Sequence, residues 1–228
     1  MIFRDKHEKS LLPKALIISA MTASLSITFY LTFVPEKELF TWLKPYKIAG
    51  DLYRNSLLLS CFVVYFIRLL FTLFIFYRRK MHWVEAIVIT SIMPFIIPYM
   101  SFIGGQKNQR IGSVEIIGAV FFWIGSYLNS RSEHLRSIWK QKKENAEHIY
   151  TGGLFKYAIH INYLGDIILF AGLAMVANSI KLFTIPGSMA LFFIMVLIPL
   201  KERYLEKKYG DEFRDYKSNT KKLIPFIF

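Results

Sequence analysis

The stretch LLLSCFVVYFIRLLFTLFIF, residues 57–76, contains a single charged side chain, Arg68. An α-helix rises about 1.5 Å per residue, so about 20 apolar residues cross the roughly 30 Å hydrocarbon core of a bilayer. This stretch therefore predicts a membrane-spanning helix. Apolar runs of similar length recur on both sides of it, which is typical of a polytopic membrane protein.

The sequence predicts an all-α, polytopic transmembrane helical bundle with six spans. The predicted spans cover residues 12–34, 55–76, 83–104, 111–129, 162–178 and 183–200. A short seventh or re-entrant helix within residues 35–54 stays open as an alternative. Pro94 and Pro98 lie four residues apart in the third span, so we expect a kinked helix whose freed carbonyl groups find neighbours.

The composition excludes several other classes of protein. Hydrophobic residues make up 54% of the chain and charged residues 20%, which argues against disorder. Cys61 is the only cysteine, so a disulfide-stapled secreted domain is excluded. The net charge of +13 would suggest nucleic acid in a soluble protein. No basic stripe forms a nucleic-acid module, however, and basic loops of a membrane protein contact lipid headgroups.

The distribution of basic residues predicts the orientation in the membrane. Of the 29 Lys and Arg residues, 21 lie in segments that share one side of the six-span topology and 7 lie on the other side. Cytoplasmic segments carry the excess of Lys and Arg, so we expect a multi-pass protein with a cytoplasmic C-terminus. The bacterial inner membrane and the endoplasmic reticulum both remain open. No GxxxG motif occurs inside a predicted span, and we expect a monomer.

Arg68 and Tyr65 are polar residues inside the second predicted span. A charged group at the bilayer centre costs at least about 2.5–3.5 kcal/mol on insertion scales, so its presence needs a reason. The alternative to a functional role is snorkelling of Arg68 toward the interface. Tyr65 precedes Arg68 by three residues and shares its helix face, so a phenol and a guanidinium can face one cavity.

Two amide–carboxylate pairs occur at the ends of neighbouring predicted spans. Asn129 precedes Glu133 by four residues, and Asn162 precedes Asp166 by four residues. Each pair therefore lies on one face of its helix. An acid near a helix start is also favourable by itself, which is the alternative for Asp166. Two matched pairs on neighbouring helices favour a polar, hydrogen-bonding cavity.

Sequence motifs for metals and common nucleotide folds are absent. The five histidines form no HExxH or HxxxH site with a third ligand, so we expect no metal. There is no GxGxxG and no GxxxxGK[ST], so any nucleotide binds without a Rossmann fold or P-loop. Basic residues after residue 130, Lys140 among them, can receive phosphates or lipid headgroups.

Two stretches carry a family resemblance: TGGLFKYAIHINYLGDIILFAGLAMVA at 151–177 and YLEKKYGDEFRDYKSNTKKLIPFIF at 204–228. Both resemble the C-terminal domain of the steroid 5α-reductase family, in a superfamily that also holds isoprenylcysteine carboxyl methyltransferases. YFIR at 65–68 is similar to the family's Tyr-x-x-Arg, and Arg79 follows at the spacing of a second family arginine. The resemblance divides the chain into substrate-side helices at 1–110 and a cofactor-binding domain at 111–228.

The resemblance implies a membrane-embedded, NADPH-dependent reductase with a cofactor cavity that faces the cytoplasm. Its substrate would be a lipid-like or steroid-like molecule with a C=C bond conjugated to a carbonyl, and Tyr65 would polarise that carbonyl. The family's cofactor contacts correspond to Arg68, Arg79, Asn129, Glu133, Lys140, Asn162, Asp166 and Tyr204. The family's Gln-Glu-Leu-Pro motif is absent, so a steroid itself is not implied.

Two other function classes remain open. The first is an S-adenosylmethionine-dependent methyltransferase of the isoprenylcysteine carboxyl methyltransferase type. The second is a non-catalytic membrane protein that retains the fold. Stabilisation of the protein by NADPH, NADH or S-adenosylmethionine would distinguish the three classes.

Overall fold

A computed structural model describes residues 10–77 and 80–228. Within these residues the chain forms α-helices and no β-strand, with one isolated bridge between Ala158 and Lys221. The α-helices are α1 Leu11–Phe33, α2 Leu52–Phe71, α3 Trp83–Gly105, α4 Ser113–Trp139, α5 Ile161–Val176, α6 Thr184–Phe192, α7 Ile198–Tyr209 and α8 Asp211–Asn219. A π-helical turn, Thr72–Phe76, extends α2, and another, Phe193–Leu197, joins α6 to α7.

Four helical segments are long and apolar enough to cross a membrane. They are Leu11–Phe33, Leu52–Phe76, Trp83–Gly105 and Ile180–Tyr209. They coincide with the first, second, third and sixth predicted spans, and the all-α, polytopic membrane fold is confirmed. The other two predicted spans fall on α4 and α5, which has 16 residues, so the total of six spans stays a prediction. The 34–51 connector holds only short 3-10 turns, Glu36–Glu38 and Thr41–Tyr46.

The chain divides into two compact units. Unit 1 contains the described residues up to Val120 together with Gly172–Phe183. Unit 2 contains Phe121–Ala171 and Thr184–Phe228. The units do not follow a single cut in the sequence, because α4 and α5 each contribute to both. The predicted functional division at residue 110 stays a prediction.

In unit 1, α1 packs along α3, and α2 contacts both helices. At the prolines of α3, this packing provides a partner for a freed carbonyl group, as expected. Pro98 has no N–H, so it leaves the carbonyl of Pro94 without its helical partner. The buried Ser24 hydroxyl of α1 donates a hydrogen bond to that carbonyl. The neighbouring helix thus satisfies the group that the proline frees.

A buried ion pair ties α2 to α4 in unit 1. The Arg54 side chain is fully buried, and its Nη2 lies 2.8 Å from Oε1 of Glu115, which is 2% exposed. Asn178 donates to the same carboxylate oxygen at 2.9 Å, and the Gly112 N–H donates to Oε2 at 2.9 Å. The sequence interpretation assigned Arg54 to the polar loop before the second span, whereas the structure buries it against Glu115.

Unit 2 builds its core around the C-terminal helices and tail. Phe213 of α8 packs with Ile149 and Ile159 in one buried cluster. The tail runs beside the start of α5, where the Ile159 N–H donates to Lys221 O at 2.8 Å. The charged residues after the last predicted span therefore fold as helices and an anchored segment.

Candidate functional site

The two amide–carboxylate pairs come together between α4 and α5. Asn129 Nδ2 donates to Asp166 Oδ2 at 2.9 Å and to the Asn162 carbonyl at 3.1 Å. Asn162 Nδ2 donates to Glu133 Oε1 at 2.9 Å. The first residue of each pair thus binds the second residue of the other pair, the pattern expected of two antiparallel helices. We call Asn129, Glu133, Asn162 and Asp166 the polar cluster.

The polar cluster keeps hydrogen-bonding capacity for a ligand. The side-chain oxygens of Asn129 and Asn162 accept no hydrogen bond from any residue that the structure describes. Toward the described residues, Asn162 uses one of its two amide N–H groups as a donor. Asn129 is buried, and Glu133, Asn162 and Asp166 are half-buried. Such groups can bind hydroxyl or amide groups of a ligand at low desolvation cost.

A basic side chain accompanies the polar cluster. Arg136 pairs with Glu133 through Nη2, one helix turn further along α4. Its guanidinium lies 5.5 Å from the ring centroid of Phe155 and stays 37% exposed. Guanidinium groups bind phosphates with two parallel hydrogen bonds, so Arg136 suits an anionic ligand. The sequence interpretation included Arg136 among the basic residues after residue 130 that can receive phosphates or lipid headgroups.

Two glycines let α4 and α5 approach closely enough to form the polar cluster. A Cβ at Gly125 would lie 2.4 Å from the Gly165 carbonyl oxygen and 2.4 Å from the Leu169 nitrogen. A Cβ at Gly165 would lie 2.7 Å from the Asn129 nitrogen. Small residues at a helix interface allow such backbone contact. The sequence interpretation missed these glycines, although Gly118 and Gly125 are spaced seven apart, which places them on one helix face.

We predict that Gly125→Ala destabilises the protein, whereas Gly187→Ala does not. Overpacking a tight contact costs about 1–3 kcal/mol of unfolding free energy, and the added Cβ at 125 meets backbone atoms that cannot yield. A Cβ at the matched Gly187 in α6 would meet no atom of the described residues within 4 Å apart from its own helix backbone and chain neighbours. Thermal unfolding of the detergent-solubilised variants measures both effects. Equal midpoints for the two variants would contradict close packing at Gly125.

Lys140 and Tyr204 also lie in unit 2. The Lys140 ammonium binds the carbonyls of Asn145 and Ala146 at 3.2 Å each and the Tyr209 hydroxyl at 3.0 Å. It therefore organises the loop after α4, and its predicted phosphate contact stays a prediction. The Lys201 ammonium lies 5.2 Å from the centroid of the Tyr204 ring. Its predicted cofactor contact is likewise a prediction.

His160, two residues before Asn162, anchors the start of α5 in unit 2. Its Nε2 lies 3.7 Å from Oε1 of Glu202, whose other oxygen lies 2.7 Å from Lys217 Nζ. The His160 ring stacks on Tyr163 with centroids 5.4 Å apart. Burial lowers the pKa of His160, and the Glu202 carboxylate opposes that shift. The sequence offered no local signal for this contact, since 42 residues separate His160 from Glu202.

Tyr65 and Arg68 lie together on α2 in unit 1. The Arg68 guanidinium carbon lies 5.4 Å from the centroid of the Tyr65 ring, so the two side chains share a face as expected. Tyr65 is 9% exposed, and its hydroxyl donates to the Met93 sulfur at 3.6 Å. A thioether is a weak acceptor, so a carbonyl would be a stronger partner for this phenol. Arg79, the second predicted arginine, lies outside the described residues.

Comparisons with known proteins identify the family of this chain. The sequence profile of the family described as "Protein of unknown function (DUF1295)" matches residues 72–220, more than half of the chain. The chain therefore belongs to this family.

The chain is also similar to enzymes with established names. Mouse 3-oxo-5-alpha-steroid 4-dehydrogenase 2 is 32% identical over 112 residues, 49% of this chain and 42% of the relative. The human protein of the same name is 31% identical over the same coverage. Rat 3-oxo-5-alpha-steroid 4-dehydrogenase 1 is 21% identical over 201 residues, 83% of this chain and 74% of the relative. The chain spans about two fifths of the length of the type 2 relatives. The resemblance to steroid 5α-reductases is confirmed.

Proposed function

We propose that this protein is a membrane-embedded, NADPH-dependent reductase of a C=C bond conjugated to a carbonyl in a lipid-like or steroid-like substrate. The observation that carries the proposal is the reciprocal hydrogen bonding of the polar cluster at positions that match the family's cofactor contacts. The similarity to 3-oxo-5-alpha-steroid 4-dehydrogenases supports the reaction class.

The polar cluster suits a nicotinamide nucleotide. The amide oxygens of Asn129 and Asn162 are acceptors for a carboxamide N–H or a ribose hydroxyl, and Asn162 keeps one donor. Arg136 adds a positive charge for a phosphate. When bound, NADPH would supply the hydride. The chain's own groups orient the ligand and exclude water, which strengthens each hydrogen bond in the site.

Tyr65 is the proposed donor to the substrate carbonyl. Reduction of a conjugated enone adds hydride at the β-carbon and a proton at the α-carbon, and negative charge develops on the carbonyl oxygen. A phenol is protonated at neutral pH and donates a hydrogen bond to that oxygen. The Met93 sulfur, which the hydroxyl contacts at 3.6 Å, is a weaker acceptor than a carbonyl oxygen.

Ligand-induced stabilisation tests the proposal. The purified full chain in detergent is heated with increasing NADPH, NADH or S-adenosylmethionine. A ligand that binds the folded state raises the midpoint by an amount that grows with its concentration. We expect NADPH to do so. Stabilisation by S-adenosylmethionine alone would support the methyltransferase class instead, and no response to any ligand would support a non-catalytic protein.

Asp166→Ala is predicted to weaken NADPH binding by about 10- to 100-fold. Loss of one hydrogen bond to a charged group costs about 1.5–3 kcal/mol, and Asn129 loses its carboxylate partner as well. The same thermal titration measures the affinity, and the midpoint without ligand reports folding. The control is Asp215→Ala, which removes an exposed carboxylate from α8 of the same unit. Unchanged NADPH affinity in Asp166→Ala would place the cofactor elsewhere.

A further inference from the structure

The connector between α1 and α2 presents large aromatic side chains outward. Phe40 is 63% exposed, Trp42 71% and Tyr46 55%, and Tyr53 in the first turn of α2 is 74% exposed. We call these four residues the aromatic platform. Scattered single apolar residues are normal on any surface, but four exposed rings within 14 positions of the connector and the start of α2 indicate a binding surface.

The backbone beneath the aromatic platform is fixed at its α1 side. The Lys47 ammonium donates to the carbonyls of Thr32 at 2.7 Å and Val34 at 2.9 Å, which α1 leaves unpaired at its end. The Ile48 N–H donates to Leu31 O at 3.1 Å. The connector therefore folds back on the end of α1.

Further contacts fix the connector at its α3 side. The Gly50 N–H donates to Gly105 O at 2.9 Å, and Asn55 Nδ2 donates to the same oxygen at 3.2 Å. Leu39 and Ile48 are 4% and 3% exposed, so the connector has its own inward apolar residues. The exposed rings therefore form one face of a segment whose backbone is fixed. Leu39 and Ile48 form its opposite, buried face.

The place of the connector identifies its partner. It joins the ends of Leu11–Phe33 and Leu52–Phe76, two consecutive helices of membrane length, so it lies where both leave the bilayer. Trp and Tyr concentrate at this depth because their rings are apolar and their N–H and O–H groups reach water. Exposed Glu36, Lys37, Glu38 and Lys44 add both signs of charge, which suits zwitterionic headgroups.

We infer that the aromatic platform is a lipid-binding surface that lies at the boundary between the headgroups and acyl chains of a phospholipid bilayer. Its exposed rings continue the lipid-facing surface of the helices beside it, where Phe29 of α1 is 54% exposed and Leu52 of α2 is 57% exposed. The platform anchors the α1–α2 hairpin at a fixed depth. This inference is independent of the proposed enzymatic activity.

Depth-dependent quenching of Trp42 fluorescence tests the inference. The full chain is reconstituted in phosphatidylcholine vesicles that contain lipids brominated near the headgroup end or near the methyl end of the acyl chain. The difference between the unmodified protein and Trp42→Phe isolates the Trp42 signal. Trp42→Phe changes an exposed side chain conservatively, so it leaves the fold intact.

We expect the lipid brominated near the headgroup to quench the Trp42 signal at least twofold more than the lipid brominated near the methyl end. Stronger quenching by the deep label would place the ring in the hydrocarbon core and overturn the interfacial position. No quenching by either lipid would overturn lipid binding altogether. In that case, quenching by iodide would indicate water, and its absence would indicate a protein partner.

Discussion

Tyr65→Phe is expected to lower turnover at least about 100-fold while leaving NADPH affinity unchanged, because a positioned acid contributes about 10²–10⁴-fold to a rate. The substitution removes one hydroxyl from a side chain that is 9% exposed and keeps the ring beneath the Arg68 guanidinium. The Tyr65 hydroxyl donates to the Met93 sulfur, which is a weak acceptor. Because the variant loses one hydroxyl and keeps the ring, we expect a lower catalytic rate and little change in stability.

Consumption of NADPH with a 3-oxo-4-ene steroid as probe measures the effect of Tyr65→Phe. Thermal titration with NADPH provides the affinity of the same preparation. The matched control is Tyr99→Phe on α3, whose ring is 48% exposed. Full activity of Tyr65→Phe would exclude Tyr65 as the donor, while equal losses in both variants would indicate a general effect on folding.

Glu115→Ala is expected to lower the free energy of unfolding by about 3–5 kcal/mol, the usual cost of leaving one partner of a buried ion pair alone. Arg54 is fully buried, so its charge cannot reach water when the carboxylate is removed. The Asn178 amide and the Gly112 N–H lose their acceptor at the same time. The expected result is a sharply lower thermal midpoint and a poor yield of folded protein.

The double variant Arg54→Met, Glu115→Leu separates the charge effect from the loss of packing. Replacing a buried ion pair by apolar residues of similar volume is often neutral or stabilising by about 1–4 kcal/mol. Nε and Nη1 of Arg54 are buried without a hydrogen-bond partner among the described residues, so removing them relieves a cost. We expect the double variant to regain most of the midpoint lost in Glu115→Ala. A double variant as unstable as Glu115→Ala would contradict this account.

Local signals explain what sequence reasoning found in the fold. Apolar runs of about 20 residues mark membrane helices because the bilayer sets their length. Four of the six predicted spans meet this criterion in the structure. α4 extends to Trp139, ten residues beyond its predicted span, because hydropathy marks where a helix leaves lipid and not where its hydrogen bonding ends.

The polar cluster was predicted from spacing alone, but its bonding was not. Residues four apart on a helix share a face, so each amide–carboxylate pair could be identified in the sequence. The exchange of partners could not, because Asn129 and Asp166 are 37 residues apart and meet only when α4 and α5 pack antiparallel. Gly125 and Gly165 set how closely they pack.

Hydropathy and short-range spacing act within one helix. They were therefore enough to predict a helical membrane protein and the four residues of the polar cluster, and the motifs were enough to predict the family. The packing of the folded chain, in contrast, buries Arg54 against Glu115, 61 residues away, and lets Lys140 bind its own loop. It also decided that the aromatic platform faces outward. Such contacts depend on which helices become neighbours, and that depends on the packing of the whole chain.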